Sequence, residues 1–340
     1  MMPKNWMIRI STKIFLHFTR KMSKLTGEMY IFDRNVKILQ KERALLNSES
    51  ELCGYLKDEV GYRLYDNLLD IKKKFSLIVD LGCGFGSFSK HLTSDLTDEV
   101  IMCESSSVLL ERSIEPQIGV KCTKMVVDEE KLPFEVNTVD LVVSNLTLHW
   151  VNDLPGTFFQ ILCSLKNDGV FIASVFGGDT LYELRSSFQL AEMERCGGIS
   201  AHVSPFTRVQ DIGNILQQCG FSMQTIDTDE IIIGYPSLFE LMWDLKYMGE
   251  NNAAKNRCNH LNKDAMLAAA AIYENIYGEE GKIPATFQII SFIAWKPDSS
   301  QPKPLPRGSG QVSLKDIHKL DEIYKKIGYV DLKDDNKKKS

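Results

Sequence analysis

Ile78-Val79-Asp80-Leu81-Gly82-Cys83-Gly84-Phe85-Gly86 is the stretch on which the reading of this chain turns. Residues 75–80 are an apolar, strand-forming run, and three alternate glycines follow. Gly82 and Gly84 can take backbone angles closed to other residues and leave no side chain between the main chain and a bound molecule. Gly86 lets the following segment approach closely. A strand that runs into such a turn puts it at the carboxyl end of a sheet, where open α/β sheets bind their ligands.

Strand and helix signals alternate outward from this point. Residues 87–96 have the length of a helix, 100–103 of a strand and 106–113 of a second helix. Residues 124–127 and 138–145 read as strands, 154–165 as a helix, Asn167-Asp168-Gly169 as a turn and 170–176 as another buried strand. That rhythm means parallel βαβ units. Residues 177–208 interrupt it with a helix over 181–194, for which Asp179 or Thr180 is the expected cap. Helix 209–219, strand 223–233, helices 236–248 and 263–277 and strand 286–295 complete the pattern. The expected fold is α/β, a doubly wound, mostly parallel seven-stranded sheet with helical additions. Four regions follow: a basic leader over 1–28, helices over 29–70, the sheet domain over 71–296 with helical insertions at 179–208 and 236–280, and a polar tail over 297–340.

The leader holds Arg9, Lys13, Arg20, Lys21 and Lys24 among apolar residues, and the first acid is Glu28. A basic, acid-poor amphipathic start has the character of a mitochondrial import segment; an ordinary leader is the alternative. The formal net charge of -5 argues against bulk nucleic-acid binding. The eight cysteines form no CxxC pair, which suits a reducing compartment.

Acids recur where successive strands end. Asp80 closes the first and can meet a ligand's ammonium group or brace the turn. Glu104 closes the second, and its carboxylate can accept both hydroxyls of a ribose. Asp128 follows the third and can accept from an adenine amino group, with the backbone amide of Glu129 beside it. Asn145 closes the fourth. A glycine turn alone fits a dinucleotide site or plain packing as well. Here, however, no Gly-x-x-Gly continues the turn at dinucleotide spacing, and the surrounding acids suit an ammonium and a sulfonium rather than a pyrophosphate. These residues favour S-adenosylmethionine.

On these residues the chain resembles the class I S-adenosylmethionine-dependent methyltransferases, whose sheet is of the Rossmann-like type. Leu148-His149-Trp150-Val151-Asn152-Asp153-Leu154-Pro155, Phe176-Gly177-Gly178-Asp179-Thr180-Leu181-Tyr182-Glu183-Leu184-Arg185, His202-Val203-Ser204-Pro205-Phe206 and Met266-Leu267-Ala268-Ala269-Ala270-Ala271 narrow the likeness. They are similar to the group that holds mitochondrial arginine-hydroxylase assembly factors of respiratory complex I and, more distantly, bacterial malonyl-carrier-protein methyltransferases. The resemblance covers roughly residues 30–300. It implies a peripheral protein on the matrix side of the mitochondrial inner membrane. It also implies that the protein meets early assembly intermediates and hydroxylates an arginine of the iron-sulfur core subunit near the quinone site. By the same resemblance Asp80, Gly82, Gly84, Glu104, Asp128 and Asn145 hold the cofactor, with Glu104 in place of the more usual Asp.

Hydroxylation raises the question of iron, which is usually held by two His and a carboxylate. No compact motif of that kind exists. His149, His202 and His260 would have to converge with Asp179, so His149, Asp179 and His202 are the catalytic candidates. Trp150, Asp179, Tyr182 and Glu183 are candidates for binding a guanidinium, with Phe206 lining the same cavity; a helix cap and an intrahelical pair are the rival reading for Asp179 and Glu183. Trp243 and Tyr247 are expected as buried helix contacts. Two other functions stay open: methyl transfer to a protein or carrier-bound carboxylate, and a non-catalytic assembly chaperone.

Overall fold

The computed structural model describes residues 30–46, 52–258 and 260–302. The basic leader and the tail beyond 302 lie outside the described residues. Among the described residues two helices come first, Arg34–Ala44 (α1) and Tyr55–Leu69 (α2). α2 buries Leu56, Val60, Leu64 and Leu68, one residue per turn on a single face. Each such side chain contributes roughly 1.5–3 kcal/mol of burial free energy.

Phe75–Leu81 (β1) pairs in parallel with Thr97–Glu104 (β2) on one side and Val139–Asn145 (β4) on the other. Phe75, Ile78, Val79 and Leu81 are buried in it. A central strand covered on both faces reads as a continuous apolar run, which is why this segment is legible. Lys121–Val126 (β3) adds beyond β2, and Leu165–Phe176 (β5) beyond β4. Ile283–Trp295 (β7) runs antiparallel to β5, and Ser222–Tyr235 (β6) antiparallel to β7. The order β3-β2-β1-β4-β5-β7-β6 is the expected seven-stranded sheet. Strand order reverses between β1 and β4, which opens a crevice there.

Leu154–Ser164 (α4) and Val209–Cys219 (α6) cover one sheet face, with Phe158, Ile161, Ile212 and Leu216 buried against Phe171 and Phe292. α2 and Ser107–Arg112 (α3) cover the other. Tyr182–Arg195 (α5), Leu238–Tyr247 (α7) and Lys263–Tyr277 (α8) pack with the far half of β7 around Leu241, Tyr273 and Phe287.

Three local expectations are corrected. No helix fills 87–96: only the 3-10 turn Ser89–His91 forms. The Ser89 hydroxyl donates to Asp80 at 2.6 Å, and the backbone of Ile114 lies where a Cβ on Gly86 would stand. These tertiary ties outweigh the weak helical preference of a Ser- and Thr-rich segment. Residues 167–169 are not a separate turn before a strand but an irregularity inside β5, with Asp168 at φ 56°. α5 has no side-chain cap; Leu181, at φ 54°, precedes it. Asp179 accepts from the Gln288 amide, and the Thr180 hydroxyl donates to the Gln288 carbonyl, so both serve β7.

Candidate functional site

The crevice at the carboxyl ends of β1, β2 and β4 is lined by Gly82, Gly84, Glu104, Asn145, Thr147 and Tyr247, with Lys41 and Lys57 reaching in from α1 and α2. Gly82 (φ 73°) and Gly84 (φ 56°) both occupy the left-handed region. A Cβ on Gly82 would strike the Thr147 side chain, whereas one on Gly84 would meet nothing within 4 Å. Gly84 therefore offers bare backbone to open space, the cradle a nucleoside needs. Gly86 does not line the crevice, because the carbonyl of Ile114 stands 2.3 Å from its hypothetical Cβ. Its role is packing.

Glu104 is fully buried. Burial alone would raise its carboxyl, but the Lys41 ammonium at 2.7 Å and the Ser105 donors outweigh that and hold it below the usual carboxylate range. One oxygen accepts from the Gly84 amide at 3.2 Å, and the other from the amide and hydroxyl of Ser105, both at 2.9 Å. Asn145 donates to the Lys57 carbonyl and accepts from Ser174, which fixes its side chain in the crevice wall. Asp80 lies beneath the turn. Burial pushes its carboxyl up to about 7, the Ser89 hydroxyl opposes this and the Glu104 charge adds to it. Its second oxygen is buried with no partner. Asp80 is fully buried and is not among the residues that line the crevice.

Asp128 and Glu129 sit further along, tied to Arg34 of α1. The contact to Asp128 is 3.1 Å, and Glu129 is buried in a close ion pair with the same guanidinium. Glu104, the glycine turn and Asn145 thus share one crevice, and α1 stands between them and Asp128. The donor set and the open side of Gly84 fit an adenosyl group. Bound there, its ribose would lie on Glu104 and its base toward Asp128.

A second cavity adjoins the loop after β4. An outer chamber of about 630 Å³ is lined by Arg185, Phe188, His202, Phe206 and Arg208, and an inner one of about 140 Å³ by Leu184, Met242, Leu245, Glu250 and Asn252. Phe188, His202, Val203, Ser204 and Phe206 wall both. In the wall of the inner chamber Glu250 is only 4% exposed. It accepts from Lys57 at 2.6 Å, from the Trp150 indole at 2.8 Å and from His149 at 3.4 Å. Burial would raise the Glu250 carboxyl, but Lys57, His149 and Lys37 drive it far below its ordinary value. Burial keeps His149 below its own ordinary value, hence neutral, and its Nδ1 has no partner.

The histidines do not converge. His149 pairs with Glu250, His202 with Glu192 at 2.6 Å, and His260 is exposed. Among the described residues no group of three His, Cys, Asp or Glu side chains stands together to hold a metal. The iron considered for hydroxylation finds no donor set here. Trp150 is buried between Phe32, Phe206 and Lys37, whose Nζ is 3.4 Å from the ring centroid. Glu183 is fully buried and bonds the backbone amide and hydroxyl of Thr286, so it faces β7 and no cavity. Tyr182 is 43% exposed and packs on Tyr277. Trp243 is 52% exposed rather than buried, stacked on Tyr247. Sequence reasoning missed Arg34, Lys41, Lys57, Thr147 and Glu250. Their only local signal was the spacing of Lys37 and Lys41, four apart on a helix with few leucines.

Sheet order and the glycine turn define a class I methyltransferase-type fold, and residues 79–173 match the family described as Methyltransferase domain. Over 296 residues the chain is 48% identical to the mitochondrial arginine-hydroxylase NDUFAF5 of Danio rerio, covering 87% of this chain and 92% of that protein. It belongs to that family. It is also 32% identical over 256 residues to a malonyl-[acyl-carrier protein] O-methyltransferase of Gallionella capsiferriformans, covering 73% of this chain and 86% of that protein. Among solved structures it is similar to the BH2331 protein of Bacillus halodurans, at 14% identity and a TM-score of 0.49, over 69% of this chain and 99% of that one. No helix among the described residues is long and apolar enough to cross a membrane.

Proposed function

We propose that this chain is a mitochondrial arginine hydroxylase that serves complex I assembly from the matrix side of the inner membrane. Its substrate is an arginine of the iron-sulfur core subunit near the quinone site. The observation that carries this reading is the 48% identity to an arginine hydroxylase across 87% of the chain. Glu104, Gly82, Gly84 and Asn145 hold S-adenosylmethionine, which when bound supplies a charged sulfonium beside the loop after β4. The two chambers behind that loop accept the side chain to be modified, with aliphatic and aromatic walls for its stem. The buried Glu250–Lys57–Trp150 cluster keeps the loop in place between cofactor and substrate.

A second reading is methyl transfer, favoured by the relation to a carrier-protein methyltransferase over 73% of the chain. Peptide mass spectrometry of the iron-sulfur core subunit, with and without this protein, separates the readings. One added oxygen on an arginine is expected. An added methyl group would replace hydroxylation with methyl transfer. An unmodified subunit that still needs this protein for assembly would make it a chaperone.

A further inference from the structure

A helix on a globular core ordinarily buries an apolar stripe. α1 instead buries Lys37, Lys41 and Ala44, while Leu39 is 47% exposed. Its hold on the body is largely polar and follows two lines. One ends on the cofactor acids: Lys41 on Glu104, and Arg34 on Asp128 and Glu129. The other ends on residues 249–254. Lys37 Nζ donates to the carbonyls of Gly249 (3.0 Å) and Asn251 (2.8 Å), Gln40 to that of Asn252, and the Asp33 amide to that of Ala253. The same segment gives Glu250, Asn251 and Asn252 to the wall of the inner chamber.

Two facts set α1 against the cofactor. A carboxylate offers about four acceptor positions, and Glu104 already takes four donors: the Gly84 amide, the Ser105 amide and hydroxyl, and Lys41. Three of these share Oε1 and only the Gly84 amide sits on Oε2, so a ribose diol finds one open position where it needs two while Lys41 stays. The space left in the crevice is about 30 Å³, against roughly 300–1,000 Å³ for ligand clefts.

We propose that α1 is a strap that the cofactor displaces: Lys41 and the ribose compete for Glu104, and lifting α1 releases residues 249–254 and opens the inner chamber to the protein substrate. The proposal rests on the cofactor reading of the crevice. Lys41 is the group that yields, since the glycine turn and Ser105 are fixed to the sheet. Because binding free energies are reciprocal, a ligand that opens the inner chamber favours cofactor binding equally.

The test uses the full chain with S-adenosylhomocysteine as probe, read by calorimetry and by hydrogen exchange. In the wild-type protein, saturating ligand speeds exchange in both 34–44 and 249–254. Lys41→Met tightens binding by about tenfold or more, the factor carried by one hydrogen bond to a charged group, while Lys41→Arg, which keeps the competing charge, does not tighten it. Slowed or unchanged exchange in 34–44 of a protein that binds the ligand overturns the strap. So does weaker binding by Lys41→Met, which would make Lys41 part of the ligand site. Absence of binding in both the wild type and Lys41→Met overturns the cofactor reading itself, and the strap with it.

Discussion

Truncating Glu250 tests the cluster that joins the cofactor crevice to the second cavity. Glu250→Ala takes the acceptor from the Trp150 indole, the partner from Lys57 and the neighbouring countercharge from Lys37. Breaking a buried ion pair from one side costs about 3–5 kcal/mol. For a domain of this size that lowers the midpoint of thermal unfolding by roughly 6–20 °C. Glu250→Gln keeps an oxygen for Trp150 and loses only the charge, so its cost is smaller. Lys57→Met is smaller too, because Lys57 is 21% exposed and Glu250 keeps Trp150. The carboxyl of Glu250 is depressed on folding, so its contribution is present above the ordinary value of about 4.5 and is lost as pH falls below it. Urea unfolding of wild type and Glu250→Gln at a series of pH values should show a gap that is full at neutrality and narrows on acidification. A Glu250→Ala protein within about 1 kcal/mol of wild type, far below the buried-pair cost, would refute the reasoning, as would a gap that ignores pH.

Three further outcomes are expected. Gly84→Val abolishes binding of S-adenosylhomocysteine by calorimetry, because its branched side chain fills the open side of the turn; left-handed backbone adds about 1–2 kcal/mol of strain, so the fold survives by circular dichroism. Asp80 has a folded carboxyl raised to about 7 from 3.8. The ligand-free protein therefore loses stability as pH climbs between those values, at up to about 1.4 kcal/mol per unit; Asp80→Asn should flatten that slope and leave the variant more stable than wild type at pH 8. Finally, Glu104→Gln should weaken cofactor binding and also loosen α1, seen as faster hydrogen exchange over 34–44, because Lys41 loses its countercharge.

The fold was legible because its signals are local. β1, β2 and β4 are apolar runs of strand length, and a strand-turn-acid order repeats along the chain, so Gly82, Gly84, Glu104 and Asn145 could be placed at one sheet edge before any coordinates. Where an element depends on a distant partner, the reading failed. Residues 87–96 have helical length, but Ser89 is drawn to Asp80 and Ile114 crowds Gly86. Asp179 and Thr180 look like a cap, yet Gln288, more than a hundred residues away, claims both. Glu183 looks like a pocket acid until Thr286 covers it.

Sequence by itself determined the doubly wound sheet, the glycine turn and the acid that follows β2, since these rest on backbone permissiveness and on apolar runs a few residues long. Only the tertiary structure decided which charges meet. It set Lys41 of α1 against Glu104, Arg34 against Asp128 and Glu129, and Lys57 against Glu250. A lysine in a sequence has no partner until the chain has folded, because a buried charge is tolerated only where folding brings a countercharge within hydrogen-bond reach.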